Sequence, residues 1–304
     1  MSTNTYLKSP LNYTGGKKRL LPQLLPLFPT QICTFVDLFC GGGNVGINVK
    51  ADNYIYNDKD KSVIGLLRMF KQFDYDQISD RINKIIKEYA LSDSSQYGYN
   101  YYGCNSSNGL GPYNKAKYNN LREHFNHLAE SDPQYFIILY TLIIYAFNNQ
   151  IRFNNRGGFN LPVGKRDFNL TLQRNLQKFI AAFHSQNLQL LNSDFRHINM
   201  NYFGKEDFFY CDPPYLITTA AYNEKNGWTE QDERDLYSYL DELNTRHIPF
   251  ALSNVLVHKG RSNKILKDWS INYNVHLLNY SYVNSNYHAD NRDKITQEVL
   301  VTNY

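Results

Sequence analysis

A short apolar run, Phe35, Val36, Asp37, Leu38 and Phe39, passes directly into a glycine turn at residues 41–46, and this junction narrows the possible folds most. Apolar and aromatic residues bounded by glycines read as a buried strand closing in a tight turn. A second run, Tyr54, Ile55 and Tyr56, ends on Asn57 and Asp58, so a carboxylate stands at the tip of the neighbouring strand. In doubly wound α/β sheets the glycines let backbone approach a ligand, and an acidic residue about 20 positions on accepts from ribose hydroxyls. The junction therefore predicts a parallel sheet with a nucleoside site at its C-terminal edge, and a helix starting just after the glycines.

From about residue 62 to 150 the chain turns helical in pattern and rich in Tyr, Asn and Lys, with a glycine-punctuated loop expected at 97–113. Residues 135–147 are almost wholly apolar, too few for the roughly 20 that a membrane helix needs, and read as a buried helix. Residues 150–166 alternate around an Arg-Gly-Gly turn, which predicts a basic β-hairpin. Beyond them a helix is expected near 172–184, strands at 188–191, 207–211, 250–253 and 298–302, and helices at 230–244 and 262–269. The expected fold is an α/β, doubly wound, Rossmann-like sheet formed by 1–61 and 167–304, interrupted by a helical domain over 62–166 that ends in the hairpin.

A hydrophobic share of 42% with 20% charged residues is that of a chain that folds. The net charge of +4 is too small to name a polyanionic partner, so local clusters of charge must decide. Cys33, Cys40, Cys104 and Cys211 have neither CxxC pairing nor zinc-like spacing, and reduced, mostly buried thiols are expected. Residues 1–10 are polar and lack the apolar centre of a secretory signal, which predicts a cytoplasmic protein. The 26 Tyr and 18 Phe suit cores, and also stacking on bases.

The run Phe208, Phe209, Tyr210, Cys211 leads straight into Asp212, Pro213, Pro214 and Tyr215. Two prolines supply no N–H, so this corner presents carbonyls and a carboxylate beside an aromatic face. Acceptors that grip both N–H groups of an exocyclic amine favour a localised lone pair on nitrogen, which eases methyl transfer from a sulfonium. Asp212 and the Pro213 carbonyl are the expected acceptors, and Tyr215 the stacking face; no metal is needed.

With these motifs in this order, the chain resembles the Dam class (D12 class) of DNA adenine-N6 methyltransferases, particularly the phage Dam type. The similarity runs through Asn12, Tyr13, Thr14, Gly15, Gly16 and Lys17, the 35–42 junction, Asn57 and Asp58, Asp194 and Phe195, Asp212 to Tyr215, and Ser253, Asn254 and Val255. It implies S-adenosylmethionine as cofactor, held by Tyr13, Lys17, Asp37, Phe39, Gly41, Asp58, Asp194, Phe195 and Asp212. It also implies duplex DNA as partner, read in the major groove by the hairpin through Arg152, Asn154, Arg156, Pro162, Lys165 and Arg166, with Tyr222 beside an adenine flipped out of the stack. The hairpin match implies GATC as target, although Gln150 and Asn148 depart from the phage pattern. A cognate restriction endonuclease is a candidate partner.

A cytosine-C5 enzyme is disfavoured because no Cys follows Pro. N4-cytosine and protein-glutamine enzymes more often carry Ser or Asn in place of Asp212. An RNA-base methyltransferase is the alternative that shares the Asp-Pro-Pro-Tyr motif.

Overall fold

A computed structural model of the chain describes residues 6–12, 16–105, 107–218, 227–279 and 296–304. The chain begins α1 (Leu21–Leu24), β1 (Thr34–Asp37) and β2 (Asn53–Asn57). A helical stretch follows: α2 (Lys61–Gln72), α3 (Tyr75–Glu88), α4 (Ser94–Tyr101), α5 (Gly111–His127), α6 (Tyr135–Tyr145) and α7 (Leu170–Ser185). Then come β3 (Leu188–Leu191), β4 (Phe208–Cys211), α8 (Glu230–Thr245), β5 (Phe250–His258), β6 (Arg261–Ser262), α9 (Lys264–Trp269), β7 (Asn274–Leu278) and β8 (Thr296–Thr302). These elements form two compact units: Met1–Gly16 with Lys61–Ser185, and Lys17–Asp60 with Gln186–Tyr304.

The second unit is a mixed α/β structure around one sheet, ordered β3-β2-β1-β4-β5-β8-β7, with β6 paired to β5. The first five strands are parallel, while β8 runs antiparallel to both β5 and β7. Strand order reverses between β1 and β4, whose register sets Asp37 opposite Tyr210. In such sheets ligands bind beyond the carboxyl ends of the strands at the reversal. Val36, Phe209, Leu252 and Val301 pack in one fully buried cluster with Leu236, Leu240 and Leu243 of α8. A capping box between Thr229 and Asp232 fixes where α8 starts.

In the first unit α6 is apolar on every side and buried from Ile137 through Tyr145, as a helix must be when neighbours surround it. α2, α3 and α5 pack around it. No helix among the described residues is long and apolar enough to cross a membrane. The four cysteines are free; Cys40 and Cys211 are buried and Cys33 is exposed.

Four local expectations change. The glycine turn leads to a single 3-10 turn, Gly46–Asn48, because the chain must be extended again by Asn53 to enter β2. The loop expected at 97–113 is shorter, since α4 continues to Tyr101 through a kink at Gly98 and α5 starts at Gly111. β7 was not foreseen: it is an edge strand of five residues with little burial, so its side chains show no apolar alternation. The expected hairpin over 150–166 is present only as isolated antiparallel bridges, Phe153 with Phe159 and Ala146 with Val163. The cross-strand bonds run from Asn154 N to the Gly158 carbonyl and from Asn160 N to the Arg152 carbonyl, and side chains of α5 satisfy the groups that face outward: Asn126 binds both the N–H and the carbonyl of Phe159, and Tyr118 and Arg122 donate to the Leu161 carbonyl.

At Gly46 a Cβ would sit 2.4 Å from ring atoms and the hydroxyl of Tyr56, which is fully buried and donates to Gln186. The ring has nowhere to go. Gly46→Ala is expected to destabilise the protein by about 1–3 kcal/mol through overpacking, measured by urea unfolding. A variant as stable as wild type would show that the Tyr56 ring yields.

Candidate active site

Asp212 follows the last residue of β4 and therefore stands at the sheet reversal. Its Oδ1 meets the Lys17 ammonium at 2.9 Å and accepts the Tyr215 hydroxyl at 2.9 Å. The ammonium also lies 4.7 Å from the centre of the Tyr215 ring. Lys17 is only 4% exposed, so its charge requires this partner. Both donors use Oδ1, and Oδ2 accepts no hydrogen bond from the described residues. Burial first, and then the Asp212 carboxylate, push the pKa of the Tyr215 hydroxyl well up, so it remains a donor.

Asp37, at the end of β1, is 1% exposed, and its Oδ1 has no hydrogen-bond partner among the described residues. Its pKa is raised, by burial first and then by the charges of Asp212 and Asp58, while the Gly46 N–H acts the other way. Asp58, at the tip of β2, accepts the Gly41 N–H on Oδ2 and the Asp60 N–H on Oδ1, each at 2.9 Å, so it braces the glycine turn. Burial, with help from these carboxylates, holds the thiols of Cys40 and Cys211 protonated, and neither is a thiolate nucleophile.

Phe195 is buried in the core cluster against Phe39, Trp228 and Tyr239, with ring centres 5.5 to 6.0 Å away and the Arg196 guanidinium 4.6 Å over its face. Phe39 is partly buried and meets Trp228 edge-on at 5.7 Å. Asp194 caps the turn at Phe195 and pairs with Arg196. Pro213 is buried, and Pro214 and Tyr215 are partly so. Tyr13 and Tyr222 lie outside the described residues.

Two side chains hold this edge together: Asn57, named from sequence only for its place beside Asp58, and Glu233, which was not singled out from sequence. Asn57 donates at 3.0 Å to the carbonyls of Leu38 and Ser193 and accepts from Ser193 N, tying the ends of β1, β2 and β3. Glu233 is fully buried and accepts from Trp228 Nε1, Tyr237, Asn254 and Asn263, which fixes the indole against Phe39. A signal existed for Glu233: it precedes Leu236, Tyr237 and Leu240 by three, four and seven residues, so it falls on the apolar face of α8.

In the other unit, Arg152, Asn154, Arg156, Pro162, Lys165 and Arg166 are all exposed. Asn154 Oδ1 accepts the N–H groups of Arg156 and Gly158, which shapes the turn. Arg152 binds the side chain and carbonyl of Asn160, and Lys165 donates to the Ser107 carbonyl. Arg156 and Arg166 make no side-chain hydrogen bond or ion pair with the described residues. Among the described residues no group of His, Cys, Asp and Glu could hold a metal ion.

Asp37 binds its proton more tightly in the folded chain than in the unfolded one, where such a carboxyl titrates near about 3.9. Its contribution to stability is therefore present below that pH and lost as pH rises through the folded-state value. Asp37→Asn is expected to melt above wild type at about pH 8, with the gap closing toward about pH 4, in thermal unfolding followed by circular dichroism. A variant that melts lower at the higher pH would show the ionised carboxylate to be well compensated.

Residues 13–285 match the family of D12 class N6 adenine-specific DNA methyltransferases. The chain is 42% identical to the type II methyltransferase M.FokI of Planomicrobium okeanokoites and 39% identical to modification methylase StsI of Streptococcus sanguinis, over 99% and 100% of its length. It spans 44% of each of those longer proteins. It is also 25% identical to the DNA adenine methylase of Escherichia coli K12, covering 88% of this chain and 86% of that one. With the family matched along most of its length, the chain belongs to the D12 class N6 adenine-specific DNA methyltransferases.

Proposed function

We propose that the chain transfers a methyl group from S-adenosylmethionine to N6 of adenine at a specific sequence in duplex DNA. The observation that carries this reading is the fixed Asp212 carboxylate, with Oδ1 held by Lys17 and Tyr215 and Oδ2 left to accept, at the sheet reversal and directly before two prolines. S-adenosylmethionine supplies the sulfonium-bound methyl when bound. Its cationic groups suit an edge where Asp37, Asp58 and Asp212 act electrostatically on one another and where Asp37 Oδ1 lacks a donor among the described residues. Asp58 and the glycine turn would hold the ribose, and Phe39 and Phe195 the adenine side.

Asp212 Oδ2 and the Pro213 carbonyl accept the two N–H groups of the target amine, and Tyr215 stacks on the base. Rate enhancement then rests on position and charge, with no covalent intermediate. Because N6 is paired in the duplex, the adenine flips out first, at a cost of a few kcal/mol. We assign catalysis to 1–61 with 167–304, and target recognition to 62–166 with the basic segment 150–166. Membership of a DNA methyltransferase family leaves the RNA-base alternative without support. The names of the longer relatives favour a role in restriction and modification, with a cognate endonuclease as partner. GATC rests on the resemblance of the basic segment alone, and the higher identity to type II enzymes than to DNA adenine methylase weighs against it.

In Asp212→Asn the donors from Lys17 and Tyr215 keep the amide oxygen at the Oδ1 position, which turns an NH2 donor toward the target amine. Methyl transfer at saturating cofactor should fall by about 100-fold or more. Transfer of labelled methyl to duplex DNA, RNA and nucleosides measures it, and near-normal turnover of the variant would overturn the assignment of Asp212. Modified-base sequencing of DNA from an expressing host gives the target: N6-methyladenine in one sequence context is the expected result, and its absence would overturn the function.

A further inference from the structure

Resting on that reading, we infer that the tyrosine-rich segment 94–122 is a second DNA-contacting surface, one that grips the sugar-phosphate backbone flanking the recognised bases. α4 bends at Gly98, and the bend brings Tyr97 and Tyr101 into a stack at 4.7 Å while leaving them 50% and 68% exposed. The row continues through Tyr102 at 5.0 Å to Tyr113 at 4.6 Å, with the Lys117 ammonium over the Tyr113 ring. Tyr102 is tied down, since its hydroxyl accepts the Asp93 N–H at 2.7 Å. Two stacked rings exposed at the end of a half-buried aromatic row are an informative exposure, because burial of such rings is what normally stabilises a fold.

This row is built onto the basic segment. Leu110 N donates to the Lys165 carbonyl at 2.9 Å, and Lys165 Nζ donates back to the Ser107 carbonyl at 3.2 Å. Gly109 has φ +74, and a Cβ there would lie 2.5 Å from Lys165 Cβ, so the two segments touch through backbone. Neither 94–122 nor 150–166 contains an Asp or Glu, whereas they carry Lys115, Lys117 and Arg122, and Arg152, Arg156, Lys165 and Arg166. Asp93 and Glu123 border the tyrosine segment, but the cations outnumber them, and the adjoining segments with their cations, tyrosine hydroxyls and many Asn complement a polyanion. The tyrosine rings lie along deoxyribose and the hydroxyls donate to phosphate, which positions the duplex without reading sequence.

The test uses the full chain and a DNA fragment that wild type methylates. Replacing Tyr97 and Tyr101 together by Ala should weaken DNA binding by about tenfold, equally on specific and unrelated duplexes, with cofactor affinity, thermal melting and kcat at saturating DNA unchanged. A neutral hydroxyl releases no counter-ion, so the slope of log affinity against log salt should not move, whereas Lys117→Ala should make it shallower by about 0.9. The Phe pair should show part of the Ala loss, which separates hydroxyl from ring. DNA affinity of the Ala pair within about twofold of wild type, or a loss confined to one base pair, would overturn this surface while wild-type methylation leaves the function standing. Failure of wild type to methylate any duplex would overturn the function, and this inference with it.

Discussion

Placing carboxylates at the C-terminal edge of β1, β2 and β4 costs free energy, because burial disfavours the charged form and each carboxylate raises the cost of the others. The fold offsets this with one buried ammonium, Lys17 on Asp212, and with backbone donors from the glycine turn to Asp58 and Asp37. Asp37 Oδ1 is left without a donor among the described residues. An edge arranged in this way is poised for a cationic ligand, and the rest of the sheet unit keeps it in place. Asn57 ties three strand ends, and Glu233 locks Trp228 against the aromatic wall formed by Phe39 and Phe195.

The helical unit solves a different problem. Its centre, α6, is apolar on all sides and must be covered, and the segment 94–122, which includes most of α5, carries Lys and Arg but no Asp or Glu. The basic segment has few ladder bonds of its own and is held instead by Asn126, Tyr118 and Arg122 from α5. Its exposed side chains are thus displayed from a backbone anchored to a helix, which is more rigid than a free loop would be and suits the DNA-reading role proposed for it.

Much of the sheet was legible because its central strands β1 and β4 are buried on both faces and read as apolar runs ended by glycine, aspartate or proline, while β2 and β3 beside them still carry enough apolar residues to read as strands. β1, β2, β3 and β4 fall within a residue or two of the expected positions. β7 was illegible for the converse reason: at an edge, with most side chains in solvent, it carries no pattern. Over the expected hairpin the antiparallel pairing is confined to a bridge of Phe153 with Phe159 and the bonds beside it, and helix side chains hold the outward edge. In the site, Lys17 and Asp58 were expected to await the cofactor. The structure adds that Lys17 pairs with Asp212 and that Asp58 braces Gly41, contacts between residues far apart in sequence that no spacing reveals.

The central physical claim is that the cofactor's positive charge compensates the carboxylates at the sheet reversal, Asp37 above all. Calorimetric titration of S-adenosylmethionine, repeated in buffers of different ionisation enthalpy across about pH 4–8, counts the protons that move on binding. Wild type is expected to release protons as Asp37 ionises beside the bound cation, and Asp37→Asn to release markedly fewer. Equal proton release from the two proteins, with cofactor bound to both, would contradict that role for Asp37.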